Sequence, residues 1–255
     1  MRSLSLVAAG FLALALPALP GAAQSIFDGL DEADRTALRA EIRAYLLENP
    51  EVIFEAVEAF EQRNATAAAE MEGALVEINA DAIFFDGHSW AGGNPDGDLI
   101  LVEFVDYRCS FCRRAFEQVM EFVGDDGNIR LVMKEFPILG PQSEVMSRFA
   151  IAVLQLGGDE IYFEAHERLL NWEGALSESS LGALAAELGL DAEAVLARMS
   201  DASVTEVLDA NRALAQRLQI SGTPTFVLGA GSSGEMIRGL LPAAGLAEIA
   251  AELRD

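Results

Sequence analysis

The two cysteines of the chain lie three positions apart, at the junction between a predicted strand and a predicted helix. Residues 99–105, with the sequence LILVEFV, form an apolar run typical of a buried strand. Cys109 and Cys112 follow this run, and apolar residues then recur at helical spacing up to Val123. A Cys-x-x-Cys pair at a strand-to-helix junction indicates thiol–disulfide redox chemistry.

The junction opens a β-α-β unit, whose second strand is predicted at residues 129–136. Two strands joined by one helix are expected to be parallel. Helical periodicity then continues through five segments, at residues 143–156, 159–172, 177–188, 191–199 and 203–218. A strand at 223–228, a hairpin partner at 235–238 and a helix at 242–254 follow. The order predicts an α/β thioredoxin fold with a helical insert at about 143–218.

Residues 1–23 have the composition of a cleaved signal peptide. A basic start precedes an apolar run at 4–16 and small residues at 21–23. That run is shorter than the roughly 20 residues of a membrane span, although an uncleaved anchor is the alternative. We therefore expect an exported, periplasmic protein, in a compartment that oxidises a lone cysteine pair. The net charge of −24 argues against nucleic acid as a partner.

Residues 24–80 are predicted to be an α-helical N-terminal stalk ahead of a domain at 81–255. Residues 25–48 are predicted as a first helix, which Asp31 can cap, and a second helix runs from Val52 to about Asn79. Its apolar seam alternates steps of four and three residues, as a helix pairing with its own copies does. Its members are Ile53, Val57, Phe60, Asn64, Ala67, Met71, Ala74 and Ile78. The alternative is a helix packed on its own domain. Residues 83–85 are predicted as a short strand.

Cys109 is the expected nucleophile, because the reactive form is a thiolate and the start of a helix favours negative charge. Arg108, Arg113 and Arg114 reverse the acidic character of the chain around it. Cys112 lies one helical turn further on and is expected to be the resolving thiol, which attacks a mixed disulfide at Cys109.

Other uses of the cysteine pair are less consistent with the sequence. A zinc site needs about four ligands, whereas the chain has no further cysteine and only His88 and His166, both distant in sequence. A structural disulfide needs no strand-to-helix setting, and Cu(I) binding by two thiolates is chemically allowed. We expect no metal and no cofactor other than a redox-active Cys109–Cys112 disulfide.

Glu103 interrupts the apolar strand six positions before Cys109. A buried carboxylate is rare and tends to be functional, so Glu103 is predicted to accept or relay the proton of Cys112. Lys134, the only lysine, is predicted as its charge partner on the neighbouring strand. The alternative is an edge-exposed Glu103 and an ordinary surface lysine.

Residues 109–112 together with Gly222-Thr223-Pro224-Thr225-Phe226 resemble the DsbA-like thiol–disulfide oxidoreductases of the thioredoxin superfamily. Residues 104–109 and 134–140 are similar to their flanking segments. The resemblance implies a cis bond between Thr223 and Pro224, in a substrate-binding loop that lies against the cysteines. Ser110-Phe111 stands where the strongly oxidising members have Pro-His, and these residues help to set the stability of the thiolate.

Residues 46–53 resemble the N-terminal region of suppressor-of-copper-sensitivity C (ScsC) proteins, some of which form trimers and shuffle disulfides. The resemblance implies a homo-oligomer, with a trimer favoured, that acts on exported cysteine-containing proteins and exchanges electrons with a membrane redox partner. We therefore expect a disulfide isomerase or reductase. The alternatives are a monomeric DsbA-like dithiol oxidase and a copper-binding, copper-tolerance protein that uses the same thiols.

Overall fold

The computed structural model of the protein describes Gly29 and residues 31–255. The predicted signal peptide therefore lies outside the described residues. The chain divides after Glu61 into two compact units. No helix in the described part is long and apolar enough to cross a membrane.

The N-terminal residues form two helices, as predicted. Helix α1 spans Glu32–Glu48, and the side chain of Asp31 caps it by accepting the Asp34 N–H at 2.9 Å. Helix α2 spans Glu51–Ile78 after the Asn49-Pro50 break. No side chain between residues 31 and 61 is buried.

The second unit is built on one five-stranded sheet of order β1-β3-β2-β4-β5. Strands β2 and β3 are parallel, as the β-α-β unit predicts, and the other neighbours are antiparallel. The strands are β1 (Trp90–Gly93), β2 (Leu99–Val105), β3 (Ile129–Glu135), β4 (Thr225–Gly229) and β5 (Gly234–Arg238). This sheet with its flanking helices is a thioredoxin-like fold, as expected from the sequence.

Eight further helices lie in the second unit: α3 (Ala80–Phe84), α4 (Ser110–Asp126), α5 (Pro141–Gly157), α6 (Asp159–Leu170), α7 (Glu178–Glu187), α8 (Ala192–Arg198), α9 (Ala202–Arg217) and α10 (Ala243–Arg254). Helices α5 to α9 form the predicted insert between β3 and β4. Helix α3 replaces the strand predicted at residues 83–85. Ile83 and Phe84 bury their side chains beside Val76 and Leu218, and an apolar run this short fits a helix as well as a strand.

Successive residues of the central strands point to opposite faces of the sheet, and each face has its own core. Leu101 and Val105 of β2 belong to the core that contains both cysteines and α4 to α6. Val102 and Phe104 belong to the other core, with residues of α3 and α9. Both faces are largely buried, so β2 and β3 are apolar except for the half-buried Arg130 and the buried Glu103, Lys134 and Glu135.

Candidate active site

Cys109 lies at the N-terminal end of α4 and is its N-cap residue. Its Sγ accepts the main-chain N–H of Cys112 at 3.4 Å, in the position that a Ser or Asp oxygen usually takes. Both cysteines are free thiols in this structure. The strand-to-helix junction thus directs the sulfur of Cys109 at unpaired helix N–H groups, which favour a negative charge.

Hydrogen bonds lower the pKa of Cys109 to about 5. The largest cause is the hydrogen bond with the Cys112 side chain, followed among the lowering causes by one with Thr223 and by main-chain N–H groups. The nearby arginines are engaged elsewhere: Arg113 Nε donates to the Leu170 carbonyl at 2.6 Å, and the Arg114 guanidinium lies 4.5 Å from the centre of the Phe111 ring. The thiolate is therefore stabilised by α4 and its resolving partner.

Cys112 is completely buried, and its pKa is raised. The hydrogen bond with Cys109 is the largest cause, followed by burial and by the negative charge of Glu103. At neutral pH the site therefore holds a Cys109 thiolate next to a protonated Cys112 thiol. These protonation states fit the roles predicted for Cys109 as the attacking cysteine and Cys112 as the resolving cysteine.

The loop before β4 closes over Cys109. The Thr223–Pro224 bond is cis, and Cys109 Sγ lies 3.2 Å from the Thr223 carbonyl oxygen, to which it donates a hydrogen bond when it carries its proton. Residues 114 positions apart in sequence are thereby brought into one site.

Two apolar side chains in or beside the cysteine motif are exposed. Phe111, one residue before Cys112, is 51% exposed, and Leu139 on the loop after β3 is 53% exposed. Ser110 and Arg108 are also exposed.

Glu103 is buried on the cysteine side of the sheet, with 2% of its surface exposed. Its pKa is raised to about 8, first by burial and then by the negative charges of Cys109 and Glu135. A carboxyl group with such a pKa exchanges its proton near neutral pH. Its burial is what the proton-relay prediction requires.

Lys134 is not the charge partner of Glu103, contrary to the sequence prediction. In the parallel register Glu103 is opposite Met133, whereas Lys134 is opposite Phe104 and faces the other core. Its Nζ pairs with Asp86, whose pKa this contact and other hydrogen bonds lower to about 2 against the opposing effect of burial. The strand pleat therefore separates the only lysine from the active-site face.

The sequence prediction missed a second carboxylate on that face. Glu135, at the end of β3, accepts hydrogen bonds at Oε1 from the hydroxyls of Tyr107 at 2.6 Å and Tyr162 at 2.7 Å. Tyr107 also lies 3.0 Å from Nδ1 of the fully buried His166. Burial lowers the pKa of His166 to about 3, so this histidine is a neutral packing group.

Asp106 was also missed, although it belongs to the motif. Its buried carboxylate accepts the main-chain N–H of Arg108 at 2.8 Å, and those of Ile138 and Leu139 at 2.8 and 2.9 Å. It therefore ties the segment before Cys109 to the loop after β3. A carboxylate directly after a buried strand was a usable signal, but its three partners could not be read from the sequence.

Most of the chain matches a known domain. Residues 100–250 match the family described as DSBA-like thioredoxin domain. The chain belongs to this DsbA-like family. The matched region contains both cysteines, the cis-proline loop and the whole helical insert.

The N-terminal helices of this DsbA-like protein also have a known counterpart. Residues 34–67 match the family described as Copper resistance protein ScsC N-terminal domain. Among solved structures, a thioredoxin-like oxidoreductase from Silicibacter pomeroyi DSS-3 is 36% identical, with a TM-score of 0.62, and the match covers 68% of this chain and 96% of that one. BcfH from Salmonella enterica Typhimurium is 26% identical, with a TM-score of 0.72, covering 88% and 97%.

Curated relatives of the DsbA-like protein include much longer proteins. The chain is 29% identical over 150 residues to a Na(+)/H(+) antiporter NhaA of Herminiimonas arsenicoxydans, which is 58% of this chain and 22% of that protein. The chain thus spans about a fifth of the length of the curated relatives it matches.

The chemistry that the DsbA-like site offers is that of its sulfurs. Among the described residues, no group of three or more His, Cys, Asp or Glu side chains is arranged to hold a metal ion. The site combines a stabilised thiolate, a protonated resolving thiol and a buried acid that titrates near neutral pH. These are the groups required for thiol–disulfide exchange.

Proposed function

We propose that the protein is a periplasmic thiol–disulfide oxidoreductase that acts as an isomerase or reductase on exported cysteine-containing proteins. The observation that carries the proposal is the difference between its two sulfurs. Cys109 is acidified and lies against the cis-proline loop, whereas Cys112 is buried and keeps its proton. The pair needs no cofactor other than its own disulfide.

The reaction begins when the Cys109 thiolate attacks a substrate disulfide. A Cys109–substrate S–S bond forms, the substrate S–S bond breaks, and one substrate sulfur leaves as a thiolate. Cys112 can then attack Cys109: its proton passes to the Glu103 carboxylate, the Cys109–Cys112 bond forms, and the second substrate sulfur leaves. The substrate disulfide has gained two electrons and the cysteine pair has lost them. In isomerisation the substrate's own thiol resolves the mixed disulfide instead.

Isomerase activity requires Cys109 to be kept reduced, and a low thiol pKa stabilises the reduced form. It also benefits from several sites around one misfolded substrate. The exposed apolar seam on α2 and the match of residues 34–67 to the ScsC N-terminal domain support a homo-oligomer, for which we favour a trimer. A membrane redox protein would return electrons to the Cys109–Cys112 disulfide, and residues 1–23 would direct export.

Two measurements on the mature chain test this proposal. We expect a mass in solution of several chains and reactivation of a substrate protein with scrambled disulfides, both without added cofactor. A monomer that oxidises dithiols but does not reactivate the scrambled substrate would exclude the isomerase and leave the DsbA-like oxidase. A Cys109→Ser variant is the control and should lack every activity.

The match of residues 34–67 to a copper-resistance domain favours one second candidate, a Cu(I)-binding protein. Two thiolates can hold Cu(I), and the two cysteines lie one helical turn apart. Titration of the reduced protein with Cu(I), with the Cys109→Ser variant as control, separates the candidates. Submicromolar binding without turnover of any disulfide would favour copper binding.

A further inference from the structure

Two buried carboxylates share the active-site face of the sheet. Glu103 of β2 is opposite Met133, and Glu135 lies two positions further along β3, opposite Val105. Both carboxylates are almost completely buried. Since alternate residues of a strand point to the same side, both lie on the side that contains the cysteines.

No cation compensates these two acids. Among the described residues, neither carboxylate forms an ion pair with a lysine, an arginine or a histidine. Lys134 is turned to the opposite face, and His166 is kept neutral by burial. The remaining ionisable groups around the pair are Asp106 and Tyr107 before α4, Tyr162 of α6, and Cys109 and Cys112. Two like charges in such a site are not expected to ionise independently.

The two acids differ in how their charged forms are supported. Glu135 Oε1 accepts two short hydrogen bonds, from Tyr107 at 2.6 Å and from Tyr162 at 2.7 Å, which stabilise its carboxylate. No side chain of the described residues donates a comparable hydrogen bond to Glu103. Burial raises the pKa of Glu135 to about 7 against these hydrogen bonds, which is still below the value of about 8 for Glu103. When both acids are ionised, Glu103 is therefore the stronger base, so a proton that Cys112 releases is expected to rest on Glu103 while the negative charge stays on Glu135.

We propose that Glu135 is a positioning residue for disulfide exchange: its carboxylate, held by Tyr107 and Tyr162, strengthens the hold of Glu103 on the proton that Cys112 releases. The proposal rests on the thiol–disulfide exchange proposed above. When Cys112 attacks the Cys109–substrate bond, its proton moves to Glu103 and the substrate sulfur leaves with the electron pair of the broken bond. The negative charge of ionised Glu135 makes protonated Glu103 the favoured product of that transfer.

The test is the pH dependence of Cys109 alkylation by iodoacetamide in the reduced full chain. In the wild-type protein we expect one step in rate near the pKa of Cys109 and a second step near that of Glu103, since an ionised neighbour makes the thiolate more nucleophilic. Glu135→Gln removes the like charge and should move the second step down by roughly one pH unit. Glu103→Gln should abolish that step.

A second variant keeps the test valid if Glu135→Gln does not fold. Tyr162→Phe removes one hydrogen bond from the Glu135 carboxylate and should move the second step in the same direction by less. Glu187→Gln, at an exposed acid paired with Arg168, is the matched control and should move nothing. An unmoved second step in both active-site variants, or a wild-type profile without that step, would overturn the proposal. Alkylation needs no disulfide substrate, so the result is independent of whether the proposed exchange activity is found.

Discussion

At the scale of single residues, the active site depends on the unequal environments of two sulfurs only one helical turn apart. Cys109 accepts hydrogen bonds at the start of α4, whereas Cys112 is enclosed and faces the negative charge of Glu103. The same S–H···S contact lowers one thiol pKa and raises the other. Cys112 therefore lowers the pKa of Cys109 in the free protein, before a substrate binds.

Substitution of Cys112 should separate its two roles. Cys112→Ala removes the side-chain donor and should raise the pKa of Cys109 by about one unit or more, because that donor is the largest lowering cause. Cys112→Ser cannot resolve a mixed disulfide but keeps a hydroxyl donor, so its pKa shift should be smaller. The thiolate absorbance near 240 nm during a pH titration measures both. Equal pKa values in the two variants would contradict the side-chain contribution.

Glu103 should make the protein less stable as the pH rises. Its folded-state pKa is about 8 and its ordinary value is 4.5, so between these values the folded protein holds a proton that the unfolded chain has lost. The free energy of unfolding contributed by this group therefore falls with increasing pH over that window. Glu103→Gln should unfold at higher urea concentration than the wild type at pH 8.5, with a smaller advantage at pH 5.

The difference in free energy of unfolding between the wild type and Glu103→Gln isolates the contribution of Glu103. The Cys109 thiolate changes stability with pH in the opposite direction, but it is present in both proteins. Cys109 has a lowered pKa, so its contribution to stability is present at high pH and is lost as the pH falls through about 5. A wild-type-minus-variant difference that does not change between pH 5 and 8.5 would show that Glu103 titrates normally.

The residues of the site differ in how far the sequence could predict them. Local motifs contain Cys109, Cys112 and the Thr223–Pro224 loop. The resemblance of these motifs to the DsbA-like family was enough to predict that they share one site. The Lys134 pairing failed because β2 and β3 are buried on both faces, so hydrophobic alternation does not reveal which face a side chain takes. The hydrogen bonds of Glu135 join it to Tyr107 and Tyr162, which are 28 and 27 positions away in sequence. They depend on the sheet register and on the placement of α6, which the local sequence does not predict.

At the scale of elements, Asp106 holds the start of α4 to the loop between β3 and α5. Asp106→Ala would leave three main-chain N–H groups without their acceptor and should lower the free energy of unfolding by about 2–4 kcal/mol. Asp106→Asn keeps one acceptor oxygen and should cost roughly half as much. Urea unfolding of the reduced protein at pH 7 measures both values.

The matched control is Asp191→Ala, which removes a single exposed helix cap at α8 and should cost about 1 kcal/mol. If Asp106→Ala costs no more than this control, Asp106 does not link the two segments as described. A fall in Cys109 reactivity that accompanies the loss of stability would show that the link also sets the geometry at the sulfur.

The elements themselves followed from the sequence where length and capping residues agreed. The five helices of the insert were predicted within a few residues of α5 to α9, because Ser177 and Asp191 mark starts and glycines separate segments. The last of them was expected to begin at Ser203, whereas Asp201 caps it. Residues 83–85 were assigned to a strand because three apolar residues carry no periodicity. Ile83 and Phe84 instead complete α3 and are buried in one cluster with Val76 of α2, whereas Phe85 is the exposed C-cap residue.

At the scale of the whole molecule, residues 31–61 have large apolar side chains, and none of their side chains is buried. Tyr45 and Phe60 are more than half exposed, as are Leu47 and Phe54. Contiguous exposed apolar surface marks an interaction site. The heptad spacing on α2 supports the proposed partner, a second copy of the same helix. The proposed oligomer would place several copies of Cys109 around one substrate, from which isomerisation benefits.

Introducing a charge into this seam should dissociate the oligomer. Phe60→Asp, in mid-seam, should reduce the mass in solution to that of one chain, because a carboxylate in an apolar helix interface has no partner. Reactivation of a scrambled-disulfide substrate should fall with it, while Cys109 alkylation stays at the wild-type rate, because residues 62–255 form a separate compact unit. Leu156→Asp, at an exposed apolar residue of α5, is the matched control and should change neither the mass in solution nor the reactivation of the substrate.

If wild type and Phe60→Asp are both monomeric, the seam is not an interface between copies. If Phe60→Asp is monomeric and still reactivates the substrate fully, isomerisation does not require several sites.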